Sequence, residues 1–251
     1  KRGNNPFLFH FNIRSLTKNF NTLEEILGSL DSNPDIIGIT ETKLNQFSID
    51  SLNLNNYTLT HINNSKTNAG GTALYTSNSL KVTPRPDIQF EMDSVESSWC
   101  EIDNGNHNKT IVVGCIYRHP HNNLTVFTDQ LNNIIRSINS NKQELFLCGD
   151  LNIDFMKVSS HLHTEEYLDM LFSHGLMPII TKPTRITSHT ATLIDHIYTN
   201  HPLSYITPGI ATVDISDHLP VFWFMTSKLE RKSTRRYYRD YSNFKSDNFL
   251  Y

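Results

Sequence analysis

Runs of apolar residues break off at polar positions along this chain, and the period within each run predicts its element. FLFHFNI at 7–13 is β-rich. Beyond it Leu16, Phe20, Leu23, Leu27 and Leu30 recur at spacings of three and four, the signature of one helix face. Thr22 and Glu25 have the spacing of a capping box inside that segment, which leaves the helix start open. Asn33-Pro34 stops the helix, and DIIGIT at 35–40 predicts the next strand. A β-α-β opening favours a sheet covered by helices. Strands are then predicted at TLTHI (58–62), GGTALYTS (70–77), SSWCEID (97–103) and KTIVVGCIYR (109–118), with turns at Gly70-Gly71 and Asp103-Asn104-Gly105.

Phe127, Leu131, Ile134, Ile135 and Ile138 mark a second helix, and ELFLCGD at 144–150 a buried strand. A third helix is expected over 164–174, with Thr164 as N-cap and Gly175 as its stop. MPIIT, LIDHIYT and LPVFWFMT complete the strands. Many strands and few helices in one chain predict an α/β fold: two stacked mixed β-sheets with helices outside. No short repeat interrupts this pattern. From about 229 the apolar periodicity fades into a basic, tyrosine-rich stretch. The expected division is therefore a domain over 1–228 and a linker over 229–251.

No apolar stretch approaches the roughly 20 residues of a membrane span, and residues 1–20 lack the apolar centre of a secretory signal. Lys1 in place of a methionine suggests a fragment of a longer product. Cys100, Cys115 and Cys148 are odd in number and far apart, which argues against a disulfide framework and for a reducing intracellular setting. The net charge of −3 argues against an overall basic coat for nucleic acid. Yet residues 228–239 carry six Lys/Arg against one Glu, a local +5 that leaves −8 elsewhere. That stretch suits either a polyanion or a solvated linker.

The chemistry sits where apolar runs end. Asn12 closes FLFHFN, Glu41 closes DIIGITE, and Asp150 and Asn152 close ELFLCGDLN. Asp195 lies in TLIDHIYTN, and Asp217 and His218 open SDHLPVFWF. Cleaving an anionic phosphodiester takes a cation, an oriented water and a stabilised leaving group. A carboxylate at a strand end, such as Glu41, is a hard ligand for Mg²⁺ or Mn²⁺; taken alone it is an ordinary loop residue. Gly149 frees the backbone before Asp150, and the spacing of two lets Asp150 and Asn152 point the same way. The plain alternative is an Asx turn. Buried Asp195 needs a partner, and His218 is the natural one: a carboxylate fixes the imidazole tautomer and raises its pKa, giving a cation for a phosphate oxygen. Tyr117 and Arg118 end another strand and offer a phenol and a guanidinium. His119, His121, His161 and His163 have loose zinc-like spacing but no cysteine pairs, and are read as surface residues.

Taken in order, N12, ETK at 41–43, IYR at 116–118, GDLN at 149–152, IDHI at 194–197 and SDHLPV at 216–221 resemble the endonuclease/exonuclease/phosphatase superfamily, also called DNase-I-like, over residues 7 to 225. Within it, FNIRSL (11–16), ITETKL (39–44), YRHP (117–120), GDLNIDF (149–155), PTRIT (183–187), TLIDHIYTN (192–200) and SDHLPVF (216–222) are similar to the apurinic-type endonuclease of a LINE-type (non-LTR) retrotransposon. RDYSNF at 239–244 is similar to the segment preceding the reverse transcriptase in such polyproteins.

The resemblance implies a four-layer α/β sandwich and a Mg²⁺-dependent nick in double-stranded DNA, with Mn²⁺ able to substitute. The 3′-hydroxyl would prime target-primed reverse transcription in the nucleus, beside a reverse transcriptase of the same polyprotein and with no membrane. It implies that Glu41 holds the metal with Asn12 and Asp217 nearby. Asp150 orients or deprotonates water, and Asn152 and His218 stabilise the pentacovalent phosphate. Asp195 orients His218, and Tyr117 positions the scissile phosphate. Arg118, Thr184, Arg185, Thr192 and Ser216 are candidates for DNA contact, and the loops 63–70 and 119–124 for target preference.

One departure matters. Repair-type relatives carry an acid two residues after the Asn12 equivalent and then a glycine; here these are Arg14 and Ser15. A cation replaces a second acidic ligand, which disfavours abasic-site repair. The alternatives are another phosphoesterase of the superfamily (abasic-site endonuclease, lipid or inositol-phosphate enzyme) and an inactive nucleic-acid-binding module.

Overall fold

The computed structural model describes residues 6–44, 52–63, 69–103, 110–139 and 143–225. The linker over 229–251, the turn beyond Asp103 and most of the loop 63–70 lie outside the described residues. The first half contains β1 (Phe7–Asn12), α1 (Leu16–Ser29), β2 (Ile36–Thr40), β3 (Tyr57–Asn63), β4 (Thr72–Ser77), β5 (Val82–Pro84), β6 (Val95–Asp103) and β7 (Thr110–Arg118). The second contains α2 (Leu124–Asn139), β8 (Glu144–Asp150), α3 (Leu162–Ser173), β9 (Met177–Pro178), β10 (Arg185–Ile186), β11 (Ala191–Thr192), β12 (Asp195–Thr199), β13 (Ile206–Ile210) and β14 (Val221–Met225).

Two six-stranded sheets result, ordered β13-β14-β1-β2-β4-β3 and β5-β6-β7-β8-β12-β9, with β10-β11 a separate hairpin. Each sheet is mixed, because each contains one β-α-β unit. β1 and β2 run parallel across α1, and β7 and β8 run parallel across α2. A parallel pair cannot close with a tight turn, so each crossover lays a helix on the outer face. The layers are helix, sheet, sheet, helix, as expected for a DNase-I-like sandwich. Among the described residues no helix is long and apolar enough to cross a membrane.

The strands read as nearly continuous apolar runs because both of their faces are covered. On β1, Phe7, Phe9 and Phe11 pack outward on Leu16, Leu23 and Leu27 of α1, while Leu8 joins the layer between the sheets. On β8, Leu145 and Leu147 face α2 and α3, and Phe146 and Cys148 face inward. Phe146 stacks on Trp223 with centroids 4.1 Å apart, joining the two sheets. The three cysteines are buried and unbridged. Strand parity then places the chemistry. Asn12 shares the inward parity of Leu8, Asp150 that of Cys148, Tyr117 that of Cys115, and Asp195 that of Ile197.

Several boundaries differ from expectation. Ser15 caps α1 by accepting from Lys18 N at 3.4 Å, so the Thr22–Glu25 box lies unused in the interior. α3 starts at Leu162, with His161 rather than Thr164 at the cap; Thr164 Oγ1 instead meets His161 Nδ1 at 2.8 Å. β13 escaped the apolar pattern because it contains Pro208-Gly209 and lies at a sheet edge, where a missing donor is tolerated.

Candidate active site

The ends of β1, β2, β7 and β8 and the start of β12 meet at one rim of the sandwich. Asp150 is in register with Asp195 on one side and Tyr117 on the other, and Asn12 with Thr40, one residue before Glu41. Just past these strand ends the backbone turns left-handed at Arg14 (φ 56°), Glu41 (φ 52°) and Asn152 (φ 49°). Such conformations are uncommon for side-chain-bearing residues and recur at functional sites. Gly149 has φ 147°, and a Cβ there would lie 1.8 Å from the Ile116 carbonyl oxygen, so only glycine lets β8 deliver Asp150.

Asn12 links two acids: its Nδ2 donates to Glu41 Oε1 at 3.0 Å and to Asp150 Oδ2 at 2.8 Å. Asp150 Oδ1 accepts from Asn152 N at 3.0 Å, and the Asn152 amide donates to the Arg118 carbonyl at 2.8 Å. Asp150 is 1% exposed. Burial first, then the charge of Asp195, push its carboxyl up to about 8, against the pull of His218 and the hydrogen bonds from Asn152 and Asn12. A carboxylate so disposed accepts a proton near neutrality.

On the far side of Asp150, Asp195 Oδ2 accepts from Thr184 Oγ1 at 2.7 Å and holds His218 Nδ1 at 2.9 Å. Burial opposes charge on both Asp195 and His218, but their mutual attraction wins. Asp195 is held below the usual carboxylate range, and His218 is raised to about 9, helped by Asp150 and Asp217. The imidazole is therefore a cation at neutral pH, 3.9 Å from Asp150 Oδ2. The Tyr117 phenol is pushed up by burial, then by Glu41 and Asp150, and stays protonated.

Potential ligand atoms of Glu41, Asp150 and His218 lie within 4.8 Å of one another, among the described residues the one such group; with His218 protonated, the two carboxyl groups are the donors left. Two carboxylates and a tethering amide suit a hard divalent cation, and crowded acids of which one is pushed toward protonation are what a cation would relieve.

The remaining candidates are held by partners of their own. Asp217, anticipated near the metal, stands outside that group. Arg185 binds it through Nε at 2.9 Å and a second nitrogen at 2.8 Å, and Arg14 lies 3.0 Å from its other oxygen. Thr184, anticipated at DNA, is fully buried, and its hydroxyl also receives Asp195 N at 3.1 Å. Arg118 is likewise buried, its guanidinium donating to the carbonyls of Leu151, Asn152 and Asn122. Ser216 ties the end of β1 to the His218 loop: its hydroxyl donates to Asn12 O at 2.7 Å and accepts from His218 N at 3.1 Å. Thr192 and Arg185 lie opposite each other in the β10-β11 hairpin, both half-buried. Sequence reasoning missed Glu96 and His10, which lie close behind the site; for His10 the available signal was an imidazole inside the apolar run FLFHFN. His119, read as a surface residue, is instead largely covered and paired with Glu96.

Two mixed sheets packed face to face with their strand ends converging on an acid-rich rim define a phosphoesterase of the DNase-I-like class. A profile of the Endonuclease/Exonuclease/phosphatase family matches residues 9–218, most of the chain, and the protein belongs to that family. Its members hydrolyse phosphoesters with divalent metals. Among solved structures, the chain is similar to the endonuclease domain of TRAS1, a telomere-specific non-LTR retrotransposon, at 14% identity and TM-score 0.66, covering 88% of this chain and 98% of that one. The AP endonuclease LMAP from Leishmania major is similar at 15% identity and TM-score 0.69, covering 89% and 88%. The 3′ phosphatase NExo from Neisseria, bound to product DNA hairpin, is similar at 16% identity and TM-score 0.64, covering 88% and 100%. At these identities the likeness carries the fold. No curated protein matches the chain.

Proposed function

We propose that this protein is a Mg²⁺-dependent endonuclease that nicks one strand of double-stranded DNA and leaves a 3′-hydroxyl. The carrying observation is geometric: Asp150, joined to Glu41 through the Asn12 amide, stands between Glu41 and the Asp195–His218 pair. Asp150 removes the proton from the attacking water, oriented by the Asn152 and Asn12 amides. His218, held by Asp195 and the Thr184 hydroxyl, presents a cation to the phosphoryl oxygens as charge builds in the transition state. Tyr117, kept protonated, donates to the scissile phosphate. Glu41, with the Asn12 amide beside it, would hold the divalent ion, which supplies Lewis-acid stabilisation of the phosphoryl charge; Mn²⁺ would substitute.

The retrotransposon reading, with priming of reverse transcription in the nucleus, is supported by the motif wording and by the likeness to the TRAS1 domain. Arg14 favours it over abasic-site repair, since a guanidinium stands where a repair enzyme has an acid. In this reading residues 1–228 are the nuclease domain, and 229–251 are a basic linker toward a reverse transcriptase of the same polyprotein. The test is incubation with supercoiled plasmid and Mg²⁺, alongside a duplex containing one abasic site. Nicked circles whose ends prime a polymerase directly support the proposal. Cleavage confined to the abasic duplex would transfer the protein to repair, and no cleavage of either would sink the nuclease reading.

A further inference from the structure

Glu96 is a fully buried acid that the scheme above does not use. It lies on β6 directly across from Tyr117 on β7. Its carboxylate meets Nε2 of His119 at 3.0 Å. A buried carboxyl group needs a hydrogen-bond partner, and this contact with Nε2 fixes the ring orientation. The His119 backbone is pinned as well, through its N–H to the Ser94 carbonyl at 3.0 Å. Held this way, the His119 ring stands edge-to-face on Tyr117, with centroids 4.8 Å apart and planes at 72°.

The other side of Glu96 abuts the opposite sheet. A Cβ on Gly70 would lie 2.5 Å from Glu96 Oε1, so a glycine backbone is what lets the carboxylate seat there. The carbonyls of Gly70 and Gly71 in turn accept from Lys43 N at 2.9 Å and Thr42 N at 3.2 Å, the two residues following Glu41. Nearby, Thr72 Oγ1 and Ser98 Oγ meet at 2.8 Å across the sheets.

We propose that His119, locked by Glu96, is a positioning residue that holds the Tyr117 phenol beside Glu41 and Asp150. The pair sets the spacing between the phosphate-facing wall of one sheet and the metal-facing loop of the other. This rests on the phosphodiesterase reading, with Tyr117 at the phosphate. Misplacing a reacting group by about 1 Å costs up to 10²-fold in rate.

The test is a double-mutant cycle on plasmid nicking with His119→Ala and Tyr117→Phe. His119→Ala should lower kcat about tenfold or more with KM little changed. In the Tyr117→Phe background the same substitution should cost almost nothing. His119→Gln, whose amide can still donate to Glu96, should recover most of the rate. Independently of turnover, the ¹⁹F resonance of 3-fluorotyrosine-labelled protein that vanishes in Tyr117→Phe should move in His119→Ala and return in His119→Gln. Costs that multiply in the double variant, or an unmoved Tyr117 resonance, overturn the positioning role while nicking by the wild type leaves the nuclease reading standing. A wild type that never nicks strikes that reading instead, and the resonance then decides the Glu96–His119 claim.

Discussion

Asp150→Asn separates catalysis from stability. The carboxyl is 1% exposed, and burial, then Asp195, push it from 3.8 up to about 8. With no divalent ion bound, the folded state retains a proton that the unfolded chain releases above pH 3.8. Folding therefore loses stability as pH rises from 3.8 toward 8. At pH 7 the loss has a ceiling of about 4 kcal/mol, set by that interval. Asparagine is nearly isosteric, keeps an oxygen to accept from Asn12 or from Asn152 N, and does not titrate. The substitution should thus stabilise the metal-free protein by roughly 1–3 kcal/mol. That raises Tm by several degrees at about 2–4 °C per kcal/mol for a domain of this size. The same change removes the proton acceptor and should cut nicking about 10²–10⁴-fold. The assays are thermal unfolding in EDTA at pH 7 and plasmid nicking with Mg²⁺. A Tm that falls, or nicking near the wild-type rate, would refute the account of Asp150 as a strained acid kept for chemistry.

Other outcomes follow from the same geometry. His218→Gln should abolish nicking while DNA binding by gel shift stays within a few-fold, because the cation acts on the transition state; equal losses in both would count against this. Glu41→Gln should raise the Mg²⁺ concentration needed for half-maximal nicking, and EDTA should stop the wild type reversibly; activity indifferent to chelation would remove the metal. Asp217→Asn should leave that Mg²⁺ requirement nearly unchanged, since Arg14 and Arg185 already occupy the carboxylate; a shift as large as that of Glu41→Gln would restore Asp217 as a ligand. Burial holds His10 and His196 neutral, lowering each from 6.5 to about 4. Their contribution is intact above pH 6.5 and is lost as pH falls toward 4, about 3 kcal/mol each. Urea unfolding of Asp150→Asn in EDTA, where the opposing titration of Asp150 is removed, should show that decline, and a flat stability from pH 6.5 to 4.5 would contradict it.

Strand-end chemistry was legible in the sequence because parity is strict. Once FLFHFN and ELFLCGD are strands buried on both faces, Asn12 and Asp150 must share the layer of Leu8 and Cys148. The pairing of Asp195 with His218 was legible too, since a buried acid demands a donor. Hydrogen-bond direction was not. Arg118 follows Tyr117 in sequence, but its parity sends it outward beneath the loop after Asp150, where backbone carbonyls claim it. Thr184 sits in a loop motif that carries no sign of a strand start eleven residues on, yet its hydroxyl closes over Asp195. Glu96 and His119 lie 23 positions apart and become partners only through the β6-β7 register. That register depends on a hairpin rather than on either residue.

Charge accounting makes sense of the departure at Arg14. Asp195 is balanced by His218, and Asp217 by Arg14 and Arg185. The acids left to share are Glu41 and Asp150, joined through Asn12, with Lys43 3.4 Å from Glu41. In the proposed scheme one divalent cation would offset those two acids, whereas a second would face the Arg14 and Arg185 guanidiniums around Asp217. An acid at position 14 would remove one guanidinium from Asp217 and add a negative charge close by, opening a second hard-oxygen site. The left-handed turn at Arg14 therefore matters beyond its strain: it accompanies a side chain that lies on Asp217, leaving Glu41 and Asp150 as the acids open to a cation.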